Sequence, residues 1–203
     1  SADAKWHEPS VNLARSDPAS MAALIFIVDT LFSLYIGVYF IRLLMQLVRA
    51  DFRSQVAEGI VTLTNPLIMP LRRVLPPMGK LDTATVVSIV LLTTAKIVVL
   101  RLLANVPFPT PAGWLYLLTI DIVTSALWVL FICIVLAALI GFLTQGIRTP
   151  VTALLDSITE PVLRPFRRYI PSFIAGFDLS YLWATIAIQA LIILIASSVP
   201  MPR

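Results

Sequence analysis

Residues 65–76 read Asn65-Pro66-Leu67-Ile68-Met69-Pro70-Leu71-Arg72-Arg73-Val74-Leu75-Pro76. About 95 positions later, residues 160–171 read Glu160-Pro161-Val162-Leu163-Arg164-Pro165-Phe166-Arg167-Arg168-Tyr169-Ile170-Pro171. Both follow one pattern, a polar residue and then Pro-x-x-x-Pro-x-Arg-Arg-x-x-Pro. Three prolines and two arginines in register mark an internal duplication.

Outward from each copy the chain turns strongly apolar. Runs at about 24–48, 83–104, 114–143 and 179–198 are each long enough for a helix to cross a bilayer, which takes about 20 residues. The third is long enough to tilt or to project past the hydrocarbon. The 203 residues are 59% hydrophobic and only 13% charged, where soluble domains are about half apolar and about a quarter charged. A soluble fold is thereby excluded. The expected fold class is an all-α membrane protein with four transmembrane helices, built from repeat 1 (residues 21–105) and repeat 2 (residues 106–203). Each unit crosses the bilayer twice, so the two copies are parallel repeats, unlike the inverted ones of many transporters.

Within each unit a short amphipathic helix precedes the Pro-rich segment. Ser54 and Thr149 are suited to N-caps, Pro150 to the first helical position, and apolar residues recur at helical spacing (Val56, Ile60, Leu63; Val151, Leu155, Ile158). Such a helix is expected along the membrane interface. Pro66 and Pro161 are expected to end it, since a residue before proline avoids the α region. A stiff Pro-Arg hairpin is then expected after each helix, carrying Pro66, Pro70 and Pro76 in one copy and Pro161, Pro165 and Pro171 in the other. Asp82 and Asp178 stand at the mouths of the second and fourth spans, where a carboxylate caps the helix and meets the positive end of its dipole.

The loops set the orientation. Arg49, Arg53, Arg72, Arg73 and Lys80 lie between spans one and two, and Arg148, Arg164, Arg167 and Arg168 between spans three and four, while residues 105–113 are uncharged. The positive-inside rule puts both basic loops in the cytoplasm and the middle loop outside, with Trp114 and Tyr116 in the outer aromatic belt. Residues 1–20 are polar and mixed in charge ahead of Met21, and read as an extension or an appended remnant rather than a signal peptide.

Chemistry-bearing residues are sparse. Cys133 is the only cysteine and sits in an apolar run, and His7 is the only histidine. No metal site, cofactor motif, phosphate loop or nucleophile constellation can be assembled, so no enzyme is expected. The net charge of +4 is accounted for by the two basic loops, which leaves no need for nucleic acid. Two groups stand out. Arg72, Arg73, Arg167 and Arg168 would hold anionic lipid head groups or an acidic partner by bidentate hydrogen bonds, or else simply enforce topology. Asp29, Lys96, Arg101 and Asp121 are charges within spans, where an unpaired charge costs at least about 2.5 kcal/mol. They are expected to pair, Asp29 or Asp121 with Lys96 or Arg101, or to snorkel to the interface. Thr93, Tyr181, Thr185 and Gln189 are expected to hydrogen-bond between helices.

The Asn65-to-Pro76 pattern, with Gly79 and then Asp82 at a span entrance beyond it, resembles the YggT (YlmG) family of bacterial and plastid membrane proteins in its duplicated form. Repeat 2 departs from it at Glu160, which replaces the Asn, and at Arg164, an added charge. The resemblance implies an inner-membrane or thylakoid protein without catalytic chemistry. It also implies links to osmotic or ion tolerance, to division, or to maturation of a membrane cytochrome. The leading expectation is a bacterial inner-membrane assembly, scaffold or envelope-homeostasis factor. The alternative is a homo-oligomeric channel or transport accessory for cation or osmotic homeostasis, its pathway lying between subunits.

Overall fold

A computed structural model describes residues 18–49, 54–73, 75, 82–144, 149–169, 173–174 and 177–197. Among them the helices are α1 (Pro18–Leu47), α2 (Gln55–Arg72), α3 (Thr83–Leu103), α4 (Pro111–Leu143), α5 (Pro150–Tyr169) and α6 (Ser180–Ser197). Four of these, α1, α3, α4 and α6, are long and apolar enough to cross a membrane. The 33 residues of α4 make it about 50 Å long, well beyond a hydrocarbon core of about 30 Å.

Local chemistry fixes the helix ends. Thr110 caps α4 by accepting from the Gly113 amide, with Pro111 in the first turn, and Ser54 caps α2 through the Ala57 amide. Beyond α3, Asn105 takes a left-handed conformation (φ 51°) and the Val106 amide returns to the Arg101 carbonyl at 3.0 Å. Asparagine is one of the few residues that adopts this closure cheaply.

Contacts between helices fix their directions. Gln46 near the end of α1 meets Asp82 at the start of α3, and Ser33 meets Lys96, so α1 and α3 are antiparallel. Asp29 and Asp121 both reach Lys96, and a Cβ added to Gly37 would lie 3.5 Å from a Val129 methyl. Hence α1 and α4 run the same way, side by side. One core joins Ile36, Tyr39, Phe40 and Met45 to residues of α2 to α5, including Ile68, Ile89, Val129 and Ile158, and a second gathers Ile134, Leu163, Ala184, Ile188 and Ile192. Small residues at the seams (Ala84, Ser88, Ala137, Ala184) let backbones approach, as packing inside lipid requires. The outer faces are apolar instead: Phe26 is 70% exposed, Leu194 66% and Leu34 64%, a surface suited to hydrocarbon.

One expectation needs correcting. Pro66 and Pro161 do not end their helices. α2 runs on through Pro66 and Pro70, and α5 through Pro161 and Pro165, so Arg72 closes a helix and Arg167 and Arg168 lie inside one. Each Pro-Arg segment is thus a continuation of its helix and not a separate hairpin. A proline inside a helix removes one intrahelical bond and opens nearby carbonyls, which is tolerable where neighbouring side chains re-satisfy the backbone. Beside the prolines of α2, side chains of α1 add donors to two carbonyls of the buried face: Tyr39 Oη donates to the Thr64 carbonyl at 3.2 Å and Arg42 to the Val61 carbonyl at 3.3 Å. α1 begins at Pro18, ahead of the span expected from about residue 24. The fold is all-helical apart from a two-residue antiparallel ladder before α6, β1 (Phe173–Ile174) with β2 (Phe177–Asp178). Pro76 and Pro171, with Arg53, Lys80 and Arg148, lie outside the described residues.

Candidate functional site

The polar groups gather at the two ends of the bundle. At the end that carries α2 and α5, Asp82 is the hub of the first half. Its Oδ1 accepts from the Ala84 amide at 3.2 Å, and its Oδ2 accepts from Thr85 Oγ1 at 3.1 Å, Gln46 Nε2 at 3.4 Å and Arg72 Nε at 3.1 Å. A second nitrogen of Arg72 makes this ion pair two-pronged. Burial alone would raise the Asp82 carboxyl. The hydrogen bonds and charge of Arg72, helped by Thr85 and Gln46, overcome it and hold the group below the ordinary carboxylate range.

Beside this hub lies Arg42, only 3% exposed on α1. One of its guanidinium nitrogens serves the Val61 carbonyl, Thr64 Oγ1 and Asn65 Oδ1, the last at 3.1 Å. Thr64 can accept because its own hydroxyl proton is given back to the Ile60 carbonyl at 2.8 Å. Tyr39 adds its bond to the Thr64 carbonyl, with the Tyr35 hydroxyl 3.1 Å from its own. The Asn65 amide is therefore an acceptor for a buried guanidinium, which gives the first position of the motif a physical role.

The second half repeats the tether with other groups. Arg167 Nε donates to Asp178 Oδ2 at 3.0 Å, while Asp178 Oδ1 accepts from the Ser180 amide at 2.9 Å at the start of α6. Glu160 meets Arg167 at 2.6 Å, and the guanidinium lies 5.7 Å from the centre of the Tyr181 ring. Burial would lower the Arg167 pKa, but the Asp178 and Glu160 carboxylates raise it beyond its ordinary value. Ninety-five residues after Tyr39, Arg42 and Gln46 stand Ile134, Ala137 and Gly141. The buried polar cluster thus belongs to the first half, and Glu160 turns to Arg167 instead.

At the opposite end, Lys96 Nζ lies 3.0 Å from Asp121, 3.3 Å from Asp29 and 3.2 Å from Ser33 Oγ. Lys96 is 8% exposed at its side chain, and bridges both carboxylates rather than choosing one. Arg101 joins neither. It donates to the Pro107 carbonyl at 2.6 Å in the connection after α3. Asp121 Oδ2, Thr93 Oγ1 and Gln189 Oε1 are buried without a hydrogen-bond partner among the described residues, and Thr185 bonds back to its own helix. Among the described residues no group of three or more His, Cys, Asp or Glu is gathered.

The four motif arginines divide by position. Arg72 and Arg167 are tethered to the carboxylates that cap the next helix although both stay exposed, and Arg73 and Arg168 are exposed beside them at the ends of α2 and α5. Pro66, Met69, Pro70 and Arg73 form an exposed ridge at helical spacing, and Pro161, Arg164, Pro165 and Arg168 form its equivalent. Sequence reasoning misses Arg42, Gln46, Tyr39 and Thr64. Arg42 carries a usable signal, a charge inside a predicted span.

The family model described as CCB3/YggT matches the chain twice, over residues 21–103 and 116–199. A Vibrio alginolyticus protein, named as an uncharacterised protein in the proC 3′ region, is 38% identical over 170 residues, covering 83% of this chain and 91% of its own. An uncharacterised Pseudomonas aeruginosa protein is 33% identical over 177 residues, covering 87% and 89% respectively. The Escherichia coli K12 protein YggT, also uncharacterised, is 34% identical over 161 residues, covering 79% and 82%. No solved structure matches.

Proposed function

The chain belongs to the CCB3/YggT family in its duplicated form, and from that premise we propose a non-enzymatic, multi-pass protein of the bacterial inner membrane that docks through the exposed faces of α2 and α5. Those faces lie in the cytoplasmic interface, where they hold the anionic phosphates of lipid head groups or an acidic partner segment. Such docking would serve assembly of a membrane complex or envelope homeostasis under osmotic load.

One observation carries this reading. In each half the first arginine of the pair is tied to the cap of the following span, and the second lies on an exposed ridge with two prolines. A tether alone needs one arginine. A topology signal needs no fixed backbone. A second guanidinium presented on a helix at the same register in both copies is suited to a ligand outside the chain. The amphipathic character of α2 and α5 supports an interfacial position: Ala57, Thr64 and Ile68 are buried in one, Leu155, Ile158 and Leu163 in the other, opposite the exposed ridges. The arginine-rich loops on that side support the cytoplasmic assignment.

The test is complementation of a deletion strain under osmotic upshift by a variant carrying Arg73→Gln, Arg164→Gln and Arg168→Gln. The variant is expected to insert normally and fail to complement. Normal insertion with full complementation would overturn the proposal. The alternative ion-pathway reading is supported by the Lys96 cluster and its unpartnered Asp121 oxygen among the described residues. Those charges, however, crowd at one end of the bundle, while a conducting route needs groups spread along it.

A further inference from the structure

Gln189 is the tenth of the 18 residues of α6, so it stands near the middle of a span. Its Oε1 is buried with no hydrogen-bond partner among the described residues. Lipid chains carry no donor, so such an acceptor has to be met by protein. Around it runs a regular stripe. Leu182, Ile186, Gln189, Ile193 and Ala196 follow one another at alternating steps of four and three, the spacing of a seam between paired helices. Leu182, Ile186 and Ile193 are 52, 51 and 60% exposed, and Ala196 is exposed with them.

The first half of the chain carries the same stripe, covered. Asp82 and Asp178 cap α3 and α6 at equivalent positions, 96 residues apart. At that offset the stripe falls on Val86, Val90, Thr93, Ile97 and Leu100 of α3. There Thr93 is fully buried, Val90, Ile97 and Leu100 are half-buried, and Val86 alone of the five is exposed. α3 packs against α1 and α2 of its own half and α4 of the other, whereas α6 packs against α4 and α5 of its own half. The stripe on α6 thus lacks a neighbour that its counterpart has.

We propose that the missing neighbour is α6 of a second copy, in a two-fold dimer with Gln189 bonded to Gln189 at its centre. Both copies share one orientation in the membrane. A two-fold axis along the membrane normal then sets the two α6 helices parallel and their glutamines at equal depth. A carboxamide is its own complement, since it carries N–H donors and an acceptor side by side. Two of them facing across the axis exchange two hydrogen bonds, once each side chain turns its buried oxygen out to the seam. One polar residue in an apolar seam also fixes the register, because any slip sets it against apolar groups. Seating α1 of a second copy on the stripe would be a head-to-tail contact, which has to close into a ring or grow into chains.

The experiment uses the full chain in liposomes, with single cysteines in a Cys133→Ala background for oxidative cross-linking. Energy transfer between copies labelled at the N-terminus, read at falling protein density, gives the affinity. Ile186→Cys and Ile193→Cys should each cross-link to themselves. Trp183→Cys and Leu194→Cys, about 100° round the helix, should not. Gln189→Leu should weaken the dimer about tenfold, as hydrogen bonds between spans do. It should not lower the melting temperature of the dilute protein, since the Gln189 acceptor has no bond within the described chain to lose. Gln189→Asn, which keeps the carboxamide, should hold most of the affinity. Monomers at every density, equal cross-linking at all four positions, or an affinity indifferent to Gln189→Leu would each overturn the proposal. So would cross-linking of Ile193→Cys to Ile27→Cys of another copy in place of itself. The stripe belongs to a span and the ridges to α2 and α5, so such a failure leaves the lipid-docking reading standing.

Discussion

Arg72 Nε donates to Asp82 Oδ2 at 3.1 Å, joining the last residue of α2 to the residue that caps α3. Arg167 and Asp178 make the same link between α5 and α6 at 3.0 Å. In each half, then, one side chain locks the angle between an amphipathic helix and the span that comes after it. The neighbouring arginine, Arg73 or Arg168, lies on the exposed ridge of the same helix.

The Asp82 lock gives the stability a pH dependence of definite sign. Its carboxyl is held below the ordinary range in the folded chain, so the link stabilises fully above the unfolded value of about 3.9 and is lost as pH falls through the folded one. The melting temperature of the purified protein in detergent should drop as pH falls below about 4. Asp82→Asn should flatten that drop. An unchanged acid limb in the variant would show that Asp82 is not its source.

Buried Arg42 donates to the Val61 carbonyl, Thr64 Oγ1 and Asn65 Oδ1 of α2, so its loss removes this donor from all three. Arg42→Met should destabilise the chain by about 1–3 kcal/mol, and Tyr39→Phe by about 1 kcal/mol, measured by unfolding in mixed micelles. The corresponding change in the second half, Ala137→Met, removes no hydrogen-bonding side chain and should act through packing alone.

Lys96 neutralises two carboxylates, which makes its removal worse than theirs. Lys96→Met should lower the yield of folded protein sharply, at a cost of about 2.5 kcal/mol or more. Adding Asp29→Asn and Asp121→Asn should restore it. Failure of the triple variant to recover would rule out a structural clamp at this cluster.

Topology can be read with single cysteines placed in a Cys133→Ala background. Cysteines at positions 73 and 168 should react with an impermeant reagent only from the cytoplasmic side, and one at position 108 only from the outside. Labelling of positions 73 and 168 from opposite sides would contradict the parallel repeat.

The spans and the duplication are legible in the sequence because each is written locally: about 20 apolar residues in a row, and an ordered set of prolines and arginines read twice. Pro66 misleads for the opposite reason. The rule that a residue before proline leaves the α region is local, and it is overridden where α2 packs against α1. Arg42 reaches partners 19 to 23 residues further along the chain, a relation that no helical periodicity displays. The Lys96 cluster is half legible. Burial of charge in lipid demands a pairing, but only the packing of α1, α3 and α4 shows that one lysine serves both aspartates. The short ladder before α6 carries no turn signal strong enough to announce it.

The measurement that bears most directly on docking compares two double variants in the same membrane preparation, with bound phospholipid counted per chain and thermal stability recorded. Arg73→Gln with Arg168→Gln should lose bound lipid while keeping the melting temperature. Arg72→Gln with Arg167→Gln should lower the melting temperature, because the caps of α3 and α6 lose their partners. If the outer pair can be neutralised with no loss of lipid, or if stability falls with the outer pair and not with the inner one, the division of labour between the arginines is wrong.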